Sequence, residues 1–303
     1  MPKESHQVNT ETLATDPNQK RLLTASAWLV ILIVSDLPAV ILSVVFDKVP
    51  GWVFLSKIVF LVLFCAVCSA PLLPYGLILL MFFTAMLIVP ILLSAPGWLV
   101  SLIGDTQPFA LARIGPYVGY AGITFVVIAA LWALKRRRRE FFLVRGEIDA
   151  PIGPVRWLGI GQGESWRKFG WIFAVAAALI APAPVVLAIR PSVDALLRVI
   201  PQLPAILLFA AANAFNEEVW FRATLLSTLP KVIGKNATLG ISAVFFGLAH
   251  YLHGMPSGMV GFVLTGSFGW IAGKSMLETK GLFWAWFMHF LADIVIFVAF
   301  AAT

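Results

Sequence analysis

Three short polar clusters interrupt the otherwise apolar last third of this 303-residue chain, and their side chains are those of acid–base chemistry. The first is Asn216-Glu217-Glu218-Val219-Trp220-Phe221-Arg222. On a helix, Glu218 and Arg222 stand at i and i+4 with the acid N-terminal, the favourable order for an ion pair. Glu217 lies about 100° further round the helix. It is therefore not the natural partner of that arginine and is left for general-base work on water. A structural Glu–Arg clamp with Glu217 at a helix interface stays open as the other reading. The second cluster runs Phe245-Phe246-Gly247-Leu248-Ala249-His250, with His253 behind it. Phe246 and His250 share a face at i, i+4, while Gly247 and Ala249 suit close helix contact in a membrane. A lone membrane histidine is more often a hydrogen-bonded packing residue than a catalyst, and His253, nearer the helix end, reads as interfacial. The third cluster, His289-Phe290-Leu291-Ala292-Asp293, sets an imidazole and a carboxylate on one face. There Asp293 can orient the ring, fix its tautomer, or share a metal or substrate with it.

The elements that must position these residues are membrane helices. Hydrophobic residues make up 60% of the chain and charged ones 12%, against roughly half and a quarter in soluble proteins. Backbone groups in lipid must be satisfied within the segment, and no period-2 strand pattern is present. The expected fold is therefore all-α, a polytopic transmembrane bundle. Apolar stretches of about 20 residues fall near 22–46, 51–70, 75–94, 115–134, 169–189, 203–229, 236–253, 257–273 and 281–300, giving eight or nine spans. Pro38, Pro90, Pro182 and Pro184 are expected to kink them, and 95–114 reads as an interfacial or re-entrant connection. The organisation is a tail 1–21, N-terminal helices 22–134, a basic loop 135–168 and a C-terminal bundle 169–303.

The net charge of +7 raises the question of nucleic acid, and the placement of the charges answers it. With the N-terminus cytoplasmic, the tail, the loop 135–168 and the ends marked by Lys231, Lys235, Lys274 and Lys280 hold sixteen of the 22 basic residues. That asymmetry is the positive-inside pattern. The run Lys135–Arg139 reads as a topology anchor touching anionic lipid headgroups, not as a nucleic-acid site. Trp157 and Trp166 in the loop suit a membrane interface. The polar start lacks a signal-peptide pattern, so the first span is expected to act as an uncleaved anchor. The expected location is the bacterial cytoplasmic membrane. Cys65 and Cys68 read as buried structural cysteines. Lys57 is placed to snorkel from a helix end, and Asp36 sits deeper, where an acid needs a partner. No internal repeat is evident, which weakens an inverted-repeat transporter.

The three clusters share a depth. Glu217 lies roughly 20 Å along its helix from Pro230, His250 roughly 22 Å from Lys235 and His289 roughly 13 Å from Lys280. All three fall inside a hydrocarbon core of about 30 Å, and the site is expected to open to the cytoplasm beside the basic loop. The order E-E-x-x-x-R, F-x-x-x-H, H-x-x-x-N/D on successive helices resembles the CPBP family, which contains the CAAX prenyl endopeptidases and bacterial Abi proteins. The resemblance covers about 203–300. It implies an intramembrane endopeptidase in which Glu217 activates water with His250. His289 and Asp293 would hold the substrate carbonyl or oxyanion, while Glu218, Arg222 and Phe246 support the site. Prenyl-protease members carry Asn where this chain has Asp293, and an ionised Asp cannot donate to an oxyanion. Asp293 is then either protonated or turned to orienting His289 or binding metal.

Glu217, His250 and His289, with Asp293, also form an N/O donor set of the kind that binds Zn²⁺ or a similar divalent metal, although no H-E-x-x-H helix is present. The expected partner is a peptide or lipidated protein substrate in the membrane. Two other functions use the same residues: a non-catalytic membrane immunity or binding factor, and a proton- or ion-coupled transporter.

Overall fold

The structure is a computed structural model that describes residues 16–93, 101, 108–161, 163–254 and 256–303. Residues 1–15 of the tail, 95–100 and 102–107 of the expected interfacial connection, and the side chain of Trp157 lie outside the described residues. The chain is helical almost throughout: α1 Pro17–Val34, α2 Leu37–Phe46, α3 Trp52–Val67, α4 Leu73–Leu92, α5 Pro108–Ala133, α6 Trp166–Ile180, α7 Ala183–Ile189, α8 Val193–Val199, α9 Leu203–Glu218, α10 Thr224–Thr228, α11 Pro230–Ile233, α12 Lys235–His253, α13 Gly258–Thr279 and α14 Phe283–Ala301. The only strand-like pairing among the described residues is two isolated bridges, Pro151 with Ser165 and Val155 with Ile160. The protein is an all-α bundle of membrane type.

Local chemistry sets several boundaries. Pro17 occupies the first turn of α1, and Asp16 caps it by accepting from Asn18 N at 2.9 Å, so the helix begins inside the expected tail. Pro38 starts α2 after a 49° bend from α1, and Pro182 and Pro184 part α6 from α7. Among the described residues, five helical stretches are long and apolar enough to cross a membrane, with α6–α7 and α8–α10 each counted as one, or six if the bent α1–α2 pair is one span. The sequence expectation was eight or nine. The difference lies in α3, only 16 residues long, and in α12 and α13. These last two are helices where expected, but they carry Lys235, His250, His253, Lys274 and Glu278, which lower their hydropathy.

The helices α12 and α13 pack closely because small residues face the contact. A Cβ on Gly247 would stand 2.7 Å from the Phe262 carbonyl, a distance no packed side chain tolerates. The helix α14 lies against α6 and α9, and α4 lies against α5.

The loop 135–168 is bound to one end of this bundle. Leu282 N donates to Val144 O at 2.9 Å and Glu147 N to Thr279 O at 2.7 Å. Trp284 Nε1 donates to Ile148 O at 3.0 Å. Glu278 of α13 accepts from Trp166 Nε1 at 2.8 Å and is ion-paired with Lys274. Trp166 is fully buried, so it anchors the loop to the protein and does not sit at a lipid interface. Gly146 has φ +78°, and a Cβ there would meet the Gly281 backbone at 2.7 Å, which explains glycine at both positions.

In the first half, Lys57 does not snorkel. It is buried, with Nζ 2.8 Å from Asp36 Oδ1 and 5.4 Å from the centre of the Phe83 ring. A buried ammonium needs its counter-ion, and the bend before α2 presents one. Cys65 and Cys68 are free thiols and half-buried, not buried as expected.

Candidate active site

The first polar cluster closes α9. Glu217 and Glu218 are its last residues, and the chain then widens into a π-helical turn, Val219–Ala223. Such turns are rare and tend to occur at functional sites. Ser242 of α12 donates its hydroxyl to Phe221 O at 2.9 Å, tying the widened backbone to the helix that carries His250.

Glu218 and Arg222 are both fully buried and 3.2 Å apart, Oε1 to Nη1. The guanidinium makes no hydrogen bond within the protein, and it lies over the face of Phe246 with its centre 3.7 Å from the ring centroid. The ring face stabilises the cation where water cannot. Glycine at 269 allows this approach: a Cβ there would stand 3.0 Å from Arg222 Nη2. The same Glu218 oxygen accepts from His289 Nδ1 at 2.8 Å. Glu218 therefore orients His289 as well as neutralising Arg222. Asp293, for which orienting that ring was one of the expected roles, stands 3.7 Å from Nε2, too far for a hydrogen bond.

His250 carries a defined tautomer. Its Nδ1 lies 3.0 Å from Phe246 O. A carbonyl only accepts, so Nδ1 holds the proton, and Nε2 of the neutral ring presents a lone pair. That Nε2 is 4.0 Å from Glu217 Oε2, and His289 Nε2 is 3.5 Å from the same oxygen. Glu217 Oε2 has no hydrogen-bond partner in the protein. Phe246 backs the group, with ring centroids 4.4 Å from His250 and 5.8 Å from His289. His253 is exposed at the end of α12, apart from the site.

His250, His289, Asp293 and Phe246 border a cavity of about 60 Å³ that also touches Pro256, Thr265 and Ala181. This volume is ample for water. The cavity lies toward Pro256 and the C-terminal end of α12, because His250 is only three residues from that end. The basic loop docks at the opposite end of α13, and a second cavity of about 200 Å³ shares Ala181, Leu264 and Phe268 with the first and reaches Leu158 of that loop.

A family model described as type II CAAX prenyl endopeptidase Rce1-like matches residues 199–295. Residues 199–295 are an Rce1-like domain. The match covers about a third of the chain and contains all three polar clusters. At family level it identifies a membrane protease. No curated protein and no solved structure matches the chain.

The Rce1-like domain contains a further site residue that the three clusters did not reveal. Asn213 Nδ2 donates to Glu217 Oε1 and to Asp293 Oδ2, both at 3.1 Å, and so bridges α9 to α14. Its carbonyl accepts from Tyr117 OH at 3.0 Å, and the amide orientation follows from these partners. Tyr117 belongs to α5, outside the matched residues. So does Thr124, which donates to Asn216 Oδ1 at 2.6 Å and accepts from Trp220 Nε1 at 2.9 Å. The available signal for Asn213 was its place one turn before Glu217 in an apolar helix. Tyr117 and Thr124 carried none.

The candidate metal ligands were Glu217, His250 and His289. Among the described residues, no group of three or more His, Cys, Asp or Glu is arranged to hold a metal ion. These side chains are of the types that take and give protons.

Proposed function

We propose that the Rce1-like domain is an intramembrane endopeptidase in which Glu217 is the general base. The observation that carries this reading is the oxygen Glu217 Oε2, unpartnered and 4.0 Å from the lone pair of His250 Nε2. One water hydrogen-bonded to both at about 2.8 Å spans that separation. Glu217 takes its proton as the water oxygen attacks the peptide carbonyl. Held among Glu217, Glu218 and Asp293 as the imidazolium, His289 gives Nδ1–H to Glu218 and keeps Nε2–H to donate to the oxyanion. Collapse breaks the C–N bond, and Glu217 returns the proton to the leaving amine.

Asp293 takes a different part from the Asn of prenyl-protease members. Oδ2 accepts from Asn213, so Asp293 holds the amide that in turn holds Glu217 Oε1. It positions the base and does not serve as an oxyanion donor.

The substrate is a membrane-associated protein, prenylated or not, whose scissile bond reaches the cavity of Phe246, His250 and Thr265. Glu217, His250, His289 and Asp293 converge on one level of the bundle, which favours hydrolysis over a relay strung across the bilayer. Membrane-peptide fragments compared between wild-type and Glu217→Ala cells test the proposal. Fragments present only with wild type are expected, and identical fragment sets would overturn it.

A further inference from the structure

Two cavities, of about 540 and about 470 Å³, lie in line between α5 and α9. Ile128 and Phe215 line both, which joins them into one groove. Neither His250 nor His289 borders it. From Ile128 to Ile114 it follows α5 for fourteen residues, roughly 21 Å, longer than one leaflet of hydrocarbon at about 15 Å. Its polar wall residues, Tyr117, Thr124 and Asn216, are already hydrogen-bonded within the protein, so the groove presents an apolar surface to an occupant.

The other end of the groove is different. Arg138 and Arg145 stand at it beside Trp132 and Trp286. Both arginines are exposed, and neither is ion-paired with a carboxylate among the described residues. Arg138 Nε donates to Leu143 O, which holds that side chain at the groove mouth. Two guanidinium groups above an apolar channel, flanked by tryptophan, match an anionic headgroup above an acyl chain.

We propose that this groove binds one anionic phospholipid, its phosphate between Arg138 and Arg145 and an acyl chain between α5 and α9. The basic loop then does more than hold a charge near the membrane, because it supplies a headgroup site built by the fold. An acyl chain against Phe215 also supports the helix that ends in Glu217 and Glu218.

The test is lipid binding by the purified full chain, measured by native mass spectrometry and thermal shift with phosphatidylglycerol or phosphatidylcholine. Phosphatidylglycerol is expected to bind more tightly and to raise Tm more. Arg138→Gln with Arg145→Gln should remove that preference, since each basic residue is worth about fivefold for an anionic lipid. Ala121→Trp, at an exposed wall position of the groove, should weaken both lipids while the protein still folds. Equal binding of the two lipids by wild type, or an unchanged preference in the arginine variant, would overturn the proposal. Competitive displacement of phosphatidylglycerol by a geranylgeranylated peptide would assign the groove to a substrate lipid and overturn it as well.

Discussion

Glu218 and His289 are joined through Oε1 and Nδ1 at 2.8 Å, and the same oxygen stands 3.2 Å from Arg222 Nη1. One carboxylate thus fixes the ring of α14 and neutralises the guanidinium of the π-helical turn. In the proposed mechanism, stability and catalysis are therefore coupled at this point.

Arg222→Ala should lower both. It leaves Glu218 buried with half of its compensation, and breaking a buried pair typically costs about 3–5 kcal/mol. It also removes the cation from the face of Phe246. Thermal unfolding in detergent should show a clear drop in Tm. Arg222→Lys should rescue it poorly, because an ammonium lacks the planar stacking group. An unchanged Tm for Arg222→Ala would remove the pair from the account.

Asn213→Ala should reduce kcat by about ten- to a hundredfold, the worth of a hydrogen bond to a charged group. KM should change little, because the amide holds Glu217 and Asp293 and not the substrate. A rise in KM at constant kcat would mean that Asn213 contacts the substrate instead.

The chemistry was more legible in the sequence than its wiring. Ionisable groups are costly in lipid unless partnered, so Glu217, His250 and His289 marked themselves, and helical spacing paired Glu218 with Arg222. Contacts between helices carry no such spacing. The Glu218–His289 and Asn213–Asp293 bonds join α9 to α14 across 71 and 80 residues. Lys57 and Asp36 were each noticed singly, but only the bend between α1 and α2 makes them a pair. Trp166 has the residue type of an interface anchor, and the partner of its buried indole, Glu278, is 112 residues away. Nothing in Val219–Ala223 announces a π-helical turn.

Gly269→Ala should destabilise the protein by about 1–3 kcal/mol, the usual cost of overpacking. The new methyl would stand 3.0 Å from Arg222 Nη2 and 3.2 Å from Phe246, both confined by their neighbours. Unfolding curves of the variant test this, and wild-type stability would show that the guanidinium can move aside.

Chelators should leave the peptidase active. Loss of activity in a chelator, restored by added Zn²⁺, would instead give Glu217, His250 and His289 the part of metal ligands.

The most direct measurement is turnover by purified Glu217→Gln against a library of membrane-associated peptides. Glutamine keeps the size of the side chain and an acceptor for Asn213, but it cannot take a proton from water. The variant should fold, keep its Tm and bind substrate, while kcat falls by roughly 10² or more. Cleavage at the wild-type rate would contradict the assignment of Glu217 as the base.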